Sequence, residues 1–111
     1  MGKHLNDKAY RAHIFVAGKR LSLWLKNKTL AGFRKDELLQ AAVVREIEII
    51  GEAAKNLSPA FRSRYPSIPW RKITGMRDVV IHDYFLIDIP DVWVTATKDV
   101  PILLEQLIEK K

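Results

Sequence analysis

An arginine, a histidine and a tyrosine lie close together in segment 75–85, in an apolar frame. Arg77 is followed by His82 after five residues and by Tyr84 after seven, and β-branched residues precede the histidine. A histidine can accept and donate protons near neutral pH, and an arginine can bind a phosphate through two parallel hydrogen bonds. The segment therefore has side chains suited to phosphodiester chemistry that needs no metal ion.

Two histidines and two arginines are sufficient to cleave RNA by internal transesterification. One imidazole takes the proton from the 2′-hydroxyl, which attacks phosphorus, and the other protonates the leaving 5′-oxygen, while arginine stabilises the phosphate charge. DNA would be inert because it has no 2′-hydroxyl. Taken alone, the spacing of Arg77 and His82 also fits a helix-end histidine beside ordinary surface ion pairs.

Helix geometry restricts how these residues can meet. On an ideal helix, five residues turn the chain by about 500°, so Arg77 and His82 lie about 140° apart and do not converge. A two-fold dimer with two copies of this helix side by side would bring Arg77 of one chain near His82 of the other. Asp78 lies four residues before His82, so we expect it to orient the histidine and favour its protonated form.

The spacing of apolar residues predicts an all-α bundle of four to five helices, forming one domain over residues 1–111. A short helical turn is predicted at about 60–65, and Gly32 is assigned to a loop. Pro101 is predicted to kink or split the last helix. The predicted long helices run from about Asp7 to Lys26 with Asn6 as N-cap, from about Lys35 to Leu57, from about Trp70 to His82 or Tyr84, and from about Pro90 onwards.

Positive charge is concentrated in the middle of the chain. The net charge is +6, and residues 53–77 contain six basic and no acidic side chains, whereas residues 78–111 contain three basic and seven acidic ones. Such a block attracts a polyanion or an acidic partner, although chance scatter on a solvated face is the alternative. The RNA-binding candidates in this block are Lys55, Arg62, Arg64, Arg71 and Lys72.

Several kinds of site are not expected. The chain has no cysteine, which excludes disulfides and thiolate zinc sites, and its His, Asp and Glu spacing fits no recognised metal site. No glycine-rich phosphate loop is present, so neither a metal nor a nucleotide cofactor is expected. Basic residues are spread through positions 1–30 and no apolar run approaches about 20 residues, so we expect a cytoplasmic protein with no membrane segment.

Other polar and aromatic residues on the predicted helices are given structural roles. Glu48 and Glu52 are expected to face Arg45 and Lys55, or to hold the motif arginine in the dimer, and Glu46 is the remaining carboxylate of this segment. His13 is expected at the edge of the core, and Trp24, Trp70 and Trp93 are expected to anchor the core or an interface. Gly51, in mid-helix, indicates a close approach between helices.

Three blocks of the sequence, in this order and spacing, resemble the HepT family of HEPN-fold toxins. They are residues 45–55, 68–70 and 75–85, and the similarity extends from about residue 36 to 107. The signature of that family is an arginine, four residues, a histidine, one residue and a tyrosine. Arg77, His82 and Tyr84 match it.

The resemblance implies a HEPN-type bundle that dimerises across the two helices with the Arg-x4-His motif. It implies a metal-independent endoribonuclease with Arg77 and His82 as catalytic residues and Asp78 and Tyr84 in support. It also implies the toxin of a prokaryotic type VII toxin–antitoxin pair. The antitoxin would be an MntA-like nucleotidyltransferase that attaches AMP to Tyr84, where the nucleotide would occupy the phosphate site and block the cleft.

A function of another class stays open. The protein could be a non-catalytic HEPN module that is the binding partner and modification target of a nucleotidyltransferase. In that case the helix with Arg77 and His82 would bind phosphate and leave RNA intact. The presence of the complete set, with Tyr84, favours catalysis.

Overall fold

Three long helices pack side by side and are joined by shorter helical segments. The computed structural model of the protein describes residues 6–82 and 88–108, and for residues 77–82 it describes only the helical backbone. No strand occurs in these ranges, so the prediction of an all-α fold is confirmed. The elements are α1 (Asp7–Leu25), α2 (Leu30–Arg34), α3 (Glu37–Asn56), α4 (Pro59–Ser63), α5 (Trp70–His82), α6 (Ile89–Val94), a π-helical turn (Thr95–Asp99) and α7 (Val100–Leu107).

Helix α3 is the central element of the bundle, because it packs against α1 on one side and α5 on the other. Helix α7 and the π-helical turn pack against α1. The apolar stripes predicted on α1 and α3 form about half of the core, and removing apolar surface from water is the main stabilising contribution. The fully buried large side chains are Ile14, Leu21, Phe33, Val43, Ile47, Ile50, Leu57, Val100, Leu103 and Leu107.

The region around Gly32 differs from the prediction. The side chain of Thr29 accepts a hydrogen bond of 3.1 Å from the N–H of Gly32 and so caps α2. Phe33, on the same helix, is buried and packs against the ring of Trp93, 5.4 Å between centroids. The assignment of Gly32 to a loop was therefore wrong, because a helix of five residues is too short to show an apolar period.

The predicted disruption at Pro101 is confirmed. Proline has no N–H, so the carbonyl four residues before it loses its helical donor. The helix accommodates this loss with the π-helical turn, which ends two residues before Pro101. The hydroxyl of Thr97 in this turn donates to the carbonyl oxygen of Trp93 at 2.7 Å, and the chain continues as α7 without reversing direction.

The bundle has two distinct ends. One end is here called the α4 end. It contains α4 itself, the starts of α1 and α5, and the ends of α3 and α7. Ser58 binds Asp7 there, and the guanidinium of Arg11 donates to the carbonyl oxygen of Leu107 at 2.7 Å. The other end contains α2, α6 and the end of α5. Within the described ranges, none of the helices is long and apolar enough to cross a bilayer.

Candidate active site

Helix α5 is the helix that the sequence predicts for the motif, and it begins at Trp70 as expected. The side chains of Ile73 and Met76 are buried and hold the helix against the bundle. Arg77, Asp78 and His82 lie in the last two turns of α5. The arginine and the histidine are thus five residues apart on one continuous helix, as the geometric argument for a dimer requires.

Most of the motif's side-chain geometry falls outside the described residues. This applies to the side chains of Arg77, Asp78 and His82 and to all of Tyr84. The contact between Asp78 and His82 and the location of the tyrosine therefore stay predictions. The structure describes the backbone of the helix that contains the motif and the residues that pack around this helix.

The start of α5 is fixed by Trp70. Its indole N–H donates to the carbonyl oxygens of Arg62 and Tyr65, both at 3.1 Å, which ties α5 to α4. The N–H of Ile73 donates to the carbonyl oxygen of Pro69 at 3.1 Å and closes the first turn. The anchoring role predicted for Trp70 is thus observed, and the motif lies at the far end of the same helix.

The basic RNA-binding candidates lie at or near the α4 end of the bundle and not beside the motif. Lys55, Arg62 and Arg64 lie at the α4 end, and Arg71 lies in the first turn of α5. At a rise of about 1.5 Å per residue, the eleven residues from Arg71 to His82 span roughly 16 Å. Any RNA contact with this group would therefore be separated from the residues predicted to be catalytic.

Lys72 differs from the other candidates because it has a local acidic partner. Its ammonium nitrogen lies 3.2 Å from a carboxylate oxygen of Asp99 in the π-helical turn. Both residues line a groove of about 370 Å³ between α5, α3 and α6, together with Ile47, Gly75 and Met76. The charge of Lys72 is thus offset within the protein.

Three of the four carboxylates on α3, Glu46, Glu48 and Glu52, separate into two groups. Glu46 is 4% exposed and its carboxylate lies 3.4 Å from a guanidinium nitrogen of Arg20, so the pair joins α3 to α1. Glu48 and Glu52 line a shallow groove of about 350 Å³ with Arg45, whereas Lys55 is not among its lining residues. The groove also contains His13, which is exposed and meets the edge of the Tyr10 ring, 6.0 Å between centroids.

No group of three His, Asp or Glu side chains in the described part of the chain is arranged to hold a metal ion.

Comparison with known proteins identifies the chain. The model of a family described as HepT-like, "Ribonuclease HepT-like", matches residues 14–109. A protein of Thermococcus cleftensis named "Probable ribonuclease HepT" is 46% identical over 98 residues, which are 88% of this chain and 89% of that protein. The chain belongs to the ribonuclease HepT-like family.

Two further relatives agree with this assignment. A "Putative RNase" of Caldanaerobacter subterraneus is 41% identical over 100 residues, 90% of this chain and 89% of that protein. A Methanocaldococcus jannaschii protein named "Gamma-glutamylcyclotransferase and putative RNase" is 41% identical over 102 residues, 92% of this chain, but the chain spans only 46% of that protein's length. No solved structure matches the chain significantly.

Membership of the HepT-like family confirms the family resemblance and, with it, the enzyme class of ribonuclease. The structure adds residues that the sequence reasoning did not single out. The pair of Arg20 and Glu46 links α1 to α3, and the sequence contains no local signal for it because the two residues are 26 positions apart. In this HepT-like chain, Gly75 also lies about two turns before the end of the motif helix, in the lining of the groove that contains Met76.

Proposed function

We propose that this protein is the toxin of a prokaryotic type VII toxin–antitoxin pair, and that it cleaves cytoplasmic RNA without a metal ion. The observation that carries the proposal is the position of Arg77 and His82 in the last two turns of one continuous helix. The helix lies within the part of the chain that matches the ribonuclease HepT-like family. On an ideal helix the two residues project about 140° apart, so a single copy of this helix does not direct both at one small site.

The reaction needs one site shared by two protomers. One His82 acts as general base on the 2′-hydroxyl, and the partner's His82 donates a proton to the leaving 5′-oxygen. Arg77 binds the scissile phosphate and stabilises the charge that develops on its oxygens. The products are a 2′,3′-cyclic phosphate and a free 5′-hydroxyl, and no metal takes part in either proton transfer.

Gly75 supports a dimer contact across α5. Glycine inside a helix costs about 1 kcal/mol relative to alanine, and a reason for it usually lies in a close neighbour. Among the described residues, a Cβ built on Gly75 would have no neighbour within 4 Å. A second copy of α5 that approaches this surface would supply the reason, and it would bring two motif helices together.

Asp78 and Tyr84 have supporting roles in this proposal. Asp78 orients His82 from one turn away. Tyr84 is the acceptor for AMP from an MntA-like nucleotidyltransferase antitoxin. A phosphodiester-linked nucleotide on this residue would place negative charge beside Arg77, so it would compete with the RNA phosphate and repel the substrate.

The test is RNA cleavage by purified, unmodified protein in excess EDTA, with His82→Ala and Arg77→Ala run beside it. We expect only the wild type to degrade a mixture of tRNA and mRNA and to leave 2′,3′-cyclic phosphate ends. Circular dichroism and sedimentation should show that both variants keep the helical fold and the dimer. If RNA stays intact with the wild type, and mass spectrometry finds no nucleotide on Tyr84, the protein is instead a non-catalytic partner of the nucleotidyltransferase.

A further inference from the structure

Basic side chains gather at the α4 end of the bundle, away from the motif. Lys55 at the end of α3, Arg64 after α4 and Arg71 at the start of α5 are exposed, and Arg62 is half-buried. The bond from Trp70 to the carbonyl oxygen of Arg62 holds α4 against the first turn of α5. These residues, together called the α4-end surface, thus belong to one region although they come from three elements.

A groove of about 400 Å³ lies within this region. It is lined by Arg64, Tyr65, Pro66, Ser67, Gln106 and Ile108. The guanidinium of Arg64 lies over the ring of Tyr65, with its central carbon 5.7 Å from the ring centroid. An aromatic ring, an arginine plane and a side-chain amide are the groups that stack on and hydrogen-bond to unpaired nucleobases.

Asp7 and Glu52, two acidic side chains at this end of the bundle, have hydrogen-bond partners within the protein, and the exposed Glu105 is next to Gln106 of the groove. Asp7 accepts hydrogen bonds from both the N–H and the hydroxyl of Ser58. Glu52, one turn from Lys55, accepts a hydrogen bond from the amide of Asn56 at 3.3 Å. The region therefore combines net positive charge with a base-sized groove, which suits a single-stranded nucleic acid better than an acidic protein surface.

We propose that the α4-end surface binds the single-stranded RNA that flanks the scissile bond. The inference rests on the proposed ribonuclease function. Arg71 and His82 are separated by roughly 16 Å along α5, and a stacked strand advances about 3.4 Å per nucleotide. The flanking strand thus reaches this surface about five nucleotides from the cleaved phosphate. Arg71 binds the backbone, and the groove of Arg64 and Tyr65 receives a base.

The test measures binding separately from cleavage. The cleavage position is first mapped on a natural RNA, and oligonucleotides are then made with deoxyribose at that position, so that they bind without being cut. One set has about ten nucleotides on each side, and two sets are shortened to about two on the 5′ or the 3′ side. Fluorescence anisotropy gives Kd for the wild type, Arg71→Ala, Arg64→Ala and the control Lys19→Ala, an exposed lysine on α1.

We expect shortening of one side to weaken binding about tenfold or more. Arg71→Ala and Arg64→Ala should weaken binding of the long oligonucleotide by a similar factor, and should have little effect on the short one. Arg71→Ala should also reduce the slope of log Kd against log salt by about one, and Arg71→Lys should restore it. Lys19→Ala should leave every Kd unchanged.

Other results would overturn the inference in recognisable ways. Equal Kd values for the long and short oligonucleotides would show that no flanking contact exists. Arginine variants that weaken binding of both lengths alike would indicate a general effect on the fold. Arginine variants that bind RNA normally but lose the nucleotidyltransferase would assign the surface to a protein partner. Failure of the ribonuclease proposal is a separate result, because it is read from the uncut natural RNA and not from these Kd values.

Discussion

The carboxylate of Asp7 accepts two hydrogen bonds from Ser58, one from the hydroxyl at 2.6 Å and one from the N–H at 2.8 Å. The same hydroxyl accepts a bond of 3.0 Å from the N–H of Phe61 and so caps α4. One residue pair therefore joins the start of α1 to the junction of α3 and α4. The Ser58 hydroxyl, then its N–H, and the positive charge of Arg64 lower the pKa of Asp7 below its ordinary value of 3.8.

This contact predicts a loss of stability in acid. Because the pKa of Asp7 is lower in the folded state, the ionised carboxylate stabilises the fold above the ordinary pKa, and this contribution disappears as the pH falls through the folded pKa. We expect Asp7→Asn to lower the free energy of unfolding by about 1 kcal/mol near pH 7. Urea unfolding at a series of pH values measures the difference between wild type and variant.

The control for this prediction is the pH dependence itself. The difference between wild type and Asp7→Asn should shrink towards zero as the pH falls through the folded pKa, because Asp7 is then protonated in both folded and unfolded states. A difference that stays constant with pH would mean that the carboxylate charge is not the cause. Ser58→Ala should lose the same pH-dependent part of the free energy of unfolding. It should also lose the contribution of the cap of α4.

Gly18 on α1 lies against the side chain of Leu104 on α7. A Cβ at this position would lie 2.7 Å from Leu104 Cδ1 and 3.0 Å from Leu104 Cγ. The overlap forces the leucine to move, so Gly18→Ala should lower the free energy of unfolding by about 1 kcal/mol, despite alanine's better helix propensity. Thermal unfolding should show a Tm lower by several degrees. Leu104→Ala in the same chain should remove the additional penalty, and an unchanged Tm for Gly18→Ala would contradict the expectation.

Gly75→Ala is the matched substitution. Within a single chain we expect it to raise stability, whereas Gly18→Ala lowers it. Because a Cβ there meets nothing within 4 Å among the described residues, Gly75→Ala should stabilise the isolated chain by about 1 kcal/mol. In the proposed dimer the added methyl would lie between two motif helices and weaken their association by about tenfold. Sedimentation at several protein concentrations measures the dimer Kd. An unchanged Kd would place the dimer contact elsewhere.

The ion pair of Arg20 and Glu46 predicts a loss of stability when one partner is removed. The side chain of Glu46 is 5% exposed and that of Arg20 is 50% exposed, so removing the arginine leaves a buried carboxylate unpaired. Arg20→Ala should cost about 2 kcal/mol in urea unfolding. The double variant with Glu46→Gln should recover part of this loss, because a neutral amide is less costly to bury. Lys19→Ala is the control. An equal loss of stability in Arg20→Ala and Lys19→Ala would argue against the pair.

The sequence was most informative where a local pattern determines local structure. Asn6 was predicted as the N-cap of α1, and its side chain accepts a hydrogen bond from the N–H of Ala9 at 2.9 Å. The apolar stripes of α1 and α3 and the effect of Pro101 were predicted for the same reason. The motif could be assigned to α5 because Arg77 and His82 lie within one helical pattern.

What the sequence did not reveal depends on contacts between distant segments. Gly51 was expected to mark a close approach, and it is buried, but the approach that the structure shows most directly is at Gly18, opposite Leu104. The pairing of Lys72 with Asp99 also joins residues from different elements. No local sequence pattern indicates either contact, because both depend on how α7 and the π-helical turn pack back against the bundle.

Tyr84→Phe tests the proposed control by AMPylation. Tyr84→Phe keeps the aromatic ring but removes the hydroxyl that would accept AMP, so we expect RNA cleavage within several-fold of the wild type. After incubation with the nucleotidyltransferase, ATP and Mg²⁺, the wild type should gain the mass of one AMP and lose its activity, whereas Tyr84→Phe should do neither. The Mg²⁺ is removed with EDTA before cleavage is measured. Inhibition of Tyr84→Phe under the same conditions would show that the partner acts by binding alone, since no acceptor hydroxyl remains at that position.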